Sequence, residues 1–200
     1  MLNVCRLALA LAGVLSSASA LAASRGLILS QDSAQLYYLS DINDTLLRNS
    51  RQQLSLIVAK EQDPRNLLLQ ADAELLDYQR QVLGTRTLSP KAGLIYGNSH
   101  DQDYGALLAG AILRQPPSAE RHHEWLVELF LAPHLGSHKE SGNEWRMDFE
   151  WTWGFRIQVN YPLPDQAELN LGFRKIEVDL HERQPSSFET GLFFGLSYRF

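Results

Sequence analysis

The sequence predicts an all-β fold: an antiparallel transmembrane β-barrel with an even number of strands, eight to ten, ten being favoured. Three observations predict it. Apolar and polar residues alternate with period two along most of the chain after residue 50. No run approaches the ~20 consecutive apolar residues of a helical membrane span. The chain ends on Phe200, with apolar or aromatic residues at every second position before it.

Composition bounds the classes. The 200 residues carry a formal charge of −5 and one cysteine, with a mean hydropathy of −0.22. A hydrophobic fraction of 44% is too high for a disordered chain, and the acidic balance disfavours a nucleic-acid partner.

The first segment reads as an export signal over residues 1–22, leaving 23–200 as the barrel. Arg6 supplies the positive n-region, Leu7–Leu15 the apolar h-region, and the Ala/Ser cluster over 16–23 the small-x-small cleavage pattern. Removal takes away Cys5, so no disulfide, cysteine-ligated metal or cysteine nucleophile is expected in the mature chain. Loss of Arg6 moves the formal charge from −5 to −6.

The strand signal is cleanest over Trp145–Tyr161. Trp145, Met147, Phe149, Trp151, Trp153, Phe155, Ile157, Val159 and Tyr161 are all apolar or aromatic, and no residue between them is large and apolar. A period of two puts the two sets on opposite faces of a strand. Leu67–Leu75, Trp125–Leu131 and Ala167–Phe173 repeat the pattern; Leu54–Ala59, Lys91–Tyr96 and Gly105–Arg114 follow it less strictly. Residues 26–40 either add a hairpin around Gln31-Asp32-Ser33, making ten strands, or form a capping segment on eight. The expected connections are Asp41–Ser50, Lys60–Arg65, Gly97–Tyr104, Arg114–His122, Gly136–Asn143, Pro162–Gln166 and His181–Ser187, with every proline in or beside one. Within Arg174–Leu180 the apolar parity switches from odd to even, which requires either a bulge or a strand that has left the bilayer.

Alternation alone leaves the direction of the apolar face open. It points inward in a soluble, lipocalin-like ligand-binding barrel and outward in a membrane barrel. The aromatics from Phe149 to Phe155 would overfill a narrow interior. Trp125, Trp145, Tyr161, Tyr198 and Phe200 lie near strand ends, where interfacial girdles belong. The polar face carries both signs, so its charges can pair inside. The expected lipid face is the nine odd residues of Trp145–Tyr161; the expected lumen face includes Arg146, Asp148, Glu150, Arg156, Glu168 and Arg174. At the C-terminus Leu192, Phe194, Leu196, Tyr198 and Phe200 share one face. This pattern resembles the insertion signal of bacterial outer-membrane barrels, read by the barrel-assembly machinery.

The chain resembles the YfaZ-like family of small outer-membrane proteins in Asp32-Ser33-Ala34-Gln35-Leu36, Leu129–Pro133, Gly172-Phe173-Arg174 and Gly191–Phe200. The resemblance implies a β-barrel in the outer membrane of a Gram-negative envelope. Its partners would be the membrane lipids and, during biogenesis, periplasmic chaperones and the assembly machinery. It implies no reaction and no cofactor.

No catalytic residue and no metal ligand is assigned. His134-Leu135-Gly136-Ser137-His138, expected in an outer loop, could supply a nucleophile and a base for a lipid-modifying enzyme. His122 and His123, with Glu120 and Glu124, could chelate a metal, although adjacent residues on an extended chain point apart. Asp148 and Glu150, with Arg146 and Arg156 on the same face, could line a lumen. The leading reading is a non-enzymatic barrel with a structural or narrow-channel role. A small-solute pore and a lipid-modifying enzyme are the alternatives.

Overall fold

A computed structural model describes residues 22–44, 48–59, 66–99, 102–139, 145–146, 150–179 and 186–200. The expected signal segment therefore lies outside the described residues apart from Ala22, as do Met147, Asp148 and Phe149.

The strands are β1 (Ala22–Ser30), β2 (Ser33–Asp44), β3 (Arg48–Ala59), β4 (Leu67–Leu75), β5 (Arg80–Val82), β6 (Arg86–Ser99), β7 (Gln102–Gln115), β8 (Glu124–Lys139), β9 (Trp145–Arg146), β10 (Trp151–Pro162), β11 (Ala167–Asp179) and β12 (Ser186–Arg199). Ten of them close an antiparallel ring in chain order; β5 and β9 are short additions on β6 and β8. Closure is made by β12 against β1, from Ser24 opposite Arg199 to Ser30 opposite Phe193. Residues 26–40 thus supply two full strands joined by a two-residue turn. Within that turn the Ser33 backbone N–H donates to Ser30 Oγ at 2.9 Å. An even number of crossings brings the two ends of the chain together, and the Phe200 N–H donates to the Ala23 carbonyl at 2.9 Å.

Several strands run further than the turn-type residues suggest. β2 reaches Asp44, β6 runs to Ser99, β7 starts at Gln102, and β8 continues to Lys139. Asn, Ser and Gly read as turn residues because side-chain hydrogen bonds and small size favour turns. Here continuous ladder pairing outweighs that preference: Gly97 pairs with Tyr104 and Asn43 with Asn49. Consequently the His134–His138 segment is strand rather than outer loop.

Two prolines also fall inside strands. Pro90 pairs with Ala111 on one side. On its other side, the pairing of β6 passes from β5, ending at Leu88, to β4, starting at Lys91. Pro90 thus falls where β6 has no register partner on that side, next to the 3-10 turn at Leu76–Tyr78. Pro133 lies beside the register shift between β7 and β8.

The parity switch at Arg174–Leu180 has a different origin from a bulge in its own strand. β11 pairs with β10 without interruption, so Arg174, Ile176 and Val178 all face inward and are buried. The interior itself changes from polar to apolar at this height. The register does shift on the other side, where Ile176 pairs with Glu189 but Glu177 with Ser187. Phe188, left over by that shift, is buried in the same apolar cluster with Leu68, Ile95, Tyr104, Phe130 and Val178. This cluster lies inside the barrel at the end away from the termini.

Candidate functional site

The inward face of the barrel holds a set of paired charged side chains. Asp72 on β4, Lys91 on β6, Glu128 on β8 and Arg156 on β10 form one chain of ion pairs across it. Lys91 Nζ lies 3.0 Å from Asp72 Oδ1 and also contacts Glu128, whose second oxygen pairs with Arg156. Arg156 and Glu128 are direct register partners. Lys91 reaches Glu128 past β7, where its own partner is Gly110, which contributes no side chain. Gln70 Nε2 donates to Asp72 Oδ2 at 2.6 Å. The tetrad holds two charges of each sign. The Lys91, Asp72 and Glu128 side chains are at most 5% exposed. Such burial is tolerable only because each ion has an opposite partner.

Toward the termini, Arg114 pairs with Glu74 at 2.7 Å and Glu124 at 3.1 Å, and Arg51 pairs with Asp41 at 2.8 Å. On the β11–β12 side, Arg174 bonds Glu189 at 2.6 Å, Gln35, and Ser33 at 3.4 Å. The β1–β2 hairpin, β11 and the C-terminal strand therefore meet at one buried guanidinium.

Near the apolar end, His134 lies inside the barrel. Its Nδ1 is 3.3 Å from Glu150 Oε2, its Nε2 is 3.0 Å from Thr152 Oγ1, and its ring stacks on Tyr104 at 4.5 Å. Hydroxyl, imidazole and carboxylate are the ingredients of an activated nucleophile. The Thr152 residue and the His134 side chain, however, are fully inaccessible, so no substrate reaches them in this conformation.

Aromatic side chains on the inner face follow one local arrangement. Tyr37, Tyr104, Phe130 and Phe193 are register partners of Gly26, Gly97, Gly154 and Gly172. A Cβ on any of these glycines would collide with the partner ring. Each ring thus occupies the volume that glycine vacates, which lets a narrow barrel hold large side chains.

The outer face is the reverse. Along β10, Trp151, Ile157 and Tyr161 are exposed while Thr152, Gly154, Gln158 and Asn160 are buried. Leu192, Phe194, Leu196, Tyr198 and Phe200 are all exposed on one side of β12. Trp153, Phe155 and Val159 are half-exposed on the same outward parity. Of the expected lumen residues, Glu150, Arg156 and Arg174 face inward. Glu168 shares their inward parity, opposite the buried Ser197, and is half-buried near the termini, where it accepts from Arg199 at 3.3 Å. Glu150 and Arg156 do not come together: one bonds His134 and the other Glu128. Trp145 and Arg146 form β9. His122 and His123 lie in the β7–β8 turn, His123 against Tyr161 at 5.4 Å. Among the described residues no three His, Cys, Asp or Glu side chains converge as a metal site.

The fold and this distribution define a closed, ten-stranded antiparallel β-barrel with an apolar outer wall and an interior that passes from paired charges to an apolar cluster. No family model matches the chain, and no curated protein matches it. It is similar to a solved structure described as "Unveiling the Mechanism Behind the in-meso Crystallization of Membrane Proteins", at 11% identity and a TM-score of 0.40, over 90% of this chain and 83% of that one. A likeness that weak carries no argument.

Proposed function

We propose that the chain is an outer-membrane β-barrel of the YfaZ-like kind. Its role is structural, and its filled interior conducts poorly or not at all. One observation carries the reading: the barrel is inverted relative to a soluble one. Leu129, Leu131, Leu94, Leu107, Phe194 and Leu196 lie exposed on the wall, while Asp72, Lys91, Glu128 and Arg174 are buried within it. In water that arrangement exposes apolar area and desolvates ions, both unfavourable; lipid around the wall reverses the first cost.

The dimensions agree. Five successive outward positions, as from Trp125 to Pro133, cover about 27 Å of strand, or about 20 Å along the axis at a tilt of roughly 40°. That approaches the ~25 Å apolar band of outer-membrane barrels. Tyr38, Trp125, Tyr161, Tyr198 and Phe200 gather toward the termini, and Tyr96, Trp151 and Trp153 toward the other end, as two aromatic girdles would. Delivery would use the segment over residues 1–22, and insertion the exposed series from Leu192 to Phe200. Outer-membrane lipids, periplasmic chaperones and the assembly machinery would be the partners. No reaction is assigned, because the one hydroxyl–imidazole–carboxylate arrangement described is sealed.

The test is fractionation followed by planar-bilayer recording. The reading expects protein in the outer membrane, extracted only by detergent, and no stable current steps after reconstitution. Recovery as a detergent-free soluble monomer would refute the membrane assignment. Regular ohmic steps would replace the closed barrel with the small-pore alternative.

A further inference from the structure

We propose that the outer rim at the termini-bearing end holds the phosphate of an anionic phospholipid, with Arg86 as the principal ligand beside Trp125. The inference rests on the membrane reading above and assigns a lipid site to it.

Seven described arginines fall into two kinds by what they contact. Arg51, Arg114, Arg156, Arg174 and Arg199 each pair with a carboxylate. Arg86 and Arg25 instead lie over aromatic rings, Arg86 at 5.2 Å from the Trp125 ring and Arg25 at 4.6 Å from Phe200. Neither has a carboxylate partner among the described residues. Both rings belong to the termini-side girdle.

Arg86 is held by a built polar contact. Its Nε donates to Gln115 Oε1 at 3.0 Å, and Gln115 Nε2 donates to Thr85 Oγ1 at 2.7 Å. Gln115 sits on the outward parity of β7, opposite Trp125, yet it is only 3% exposed. An amide buried on the outer wall and spent on orienting one guanidinium is unexpected for a side chain that serves only to be solvated. The Nε bond occupies one edge of the planar fork and leaves the Nη donors for a second acceptor. Two parallel N–H donors suit a phosphate diester. The indole face supplies attraction to the cation and an apolar surface for the glycerol backbone. At the height of an interfacial girdle, the acceptor presented by a bilayer is the lipid phosphate.

Among its described residues, the opposite rim shows a different arrangement. Lys175, at 5.0 Å over Trp153, is already paired with Glu177 at 2.7 Å. It therefore serves as the internal control.

The test is native mass spectrometry of the detergent-folded barrel titrated with phosphatidylglycerol or phosphatidylcholine, for the wild type, Arg86→Ala, Arg86→Lys and Lys175→Ala. Heat-modifiable gel mobility first verifies that each variant is a folded barrel, which keeps a failure of the membrane reading distinct from a failure of the site. The wild type should retain phosphatidylglycerol in preference to phosphatidylcholine. Arg86→Ala should lose about fivefold in phosphatidylglycerol affinity, as expected for one interfacial cation. Arg86→Lys should recover only part, since an ammonium lacks the fork, and Lys175→Ala should change nothing. Equal retention by the wild type and Arg86→Ala overturns the proposal. So does displacement of the lipid by millimolar inorganic phosphate, which would mark a site for soluble anions instead.

Discussion

Glu128→Ala is the sharpest probe of how the interior is held. The carboxylate bridges Lys91 and Arg156, and its removal gives the tetrad a net charge of +1. Lys91 keeps Asp72 at 3.0 Å, but no other carboxylate pairs with Arg156 among the described residues. The guanidinium is then a nearly buried, uncompensated ion, its side chain 12% exposed. Breaking a buried pair from one side costs about 3–5 kcal/mol. The measurement is urea unfolding of the barrel refolded in lipid vesicles, followed by tryptophan fluorescence. Glu128→Ala alone should lower the unfolding free energy by that amount. Glu128→Ala with Arg156→Ala restores neutrality, with Lys91 and Asp72 still paired, and should be less destabilised than the single variant despite a larger cavity. A single-variant loss below about 1 kcal/mol, typical of a solvated surface pair, would refute the claim that the tetrad is dry. So would strict additivity of the two substitutions.

Other outcomes follow from the wall and from the paired rings. Leu129→Arg places a charge amid the exposed apolar band and should destabilise the lipid-folded barrel by about 2–4 kcal/mol; a neutral or stabilising effect would speak for a water-facing wall. Gly154→Val drives a side chain into the Phe130 ring and should cost about 1–3 kcal/mol by overpacking. Adding Phe130→Leu should relieve much of that loss, and a double variant no better than Gly154→Val would refute the paired-ring account. Phe200→Asp should lower the amount of folded barrel in the outer membrane, measured by heat-modifiable mobility, whereas unchanged assembly would remove the terminal residue from the insertion signal.

Much of the wall was legible because its signal is local. Alternation from Trp151 to Tyr161 assigns each side chain to a face with no knowledge of the neighbouring strands, and the faces appear as read. Strand ends were less legible, since Asn, Ser and Gly serve both turns and ladders; the partner strand decides. His134 shows the same limit. Beside Gly136 and Ser137 it looks like loop, but it continues the inward parity of Glu128, Phe130 and Ala132. A detectable signal for the inner aromatics was present and lay across strands: an inward-parity glycine on one strand and an inward ring on the next.

The sequence by itself determined the class of object: strands of period two, an apolar face too aromatic for a narrow interior, and both signs of charge on the other face. Tertiary structure decided that there are ten strands, which end of the interior is apolar, and which charges meet. Lys91 and Glu128 are 37 residues apart, and Arg174 and Gln35 are 139. The physical reason is that a strand's period is fixed by the geometry of its own backbone. Contacts across a barrel depend on register and closure, which accumulate over every hairpin in the ring.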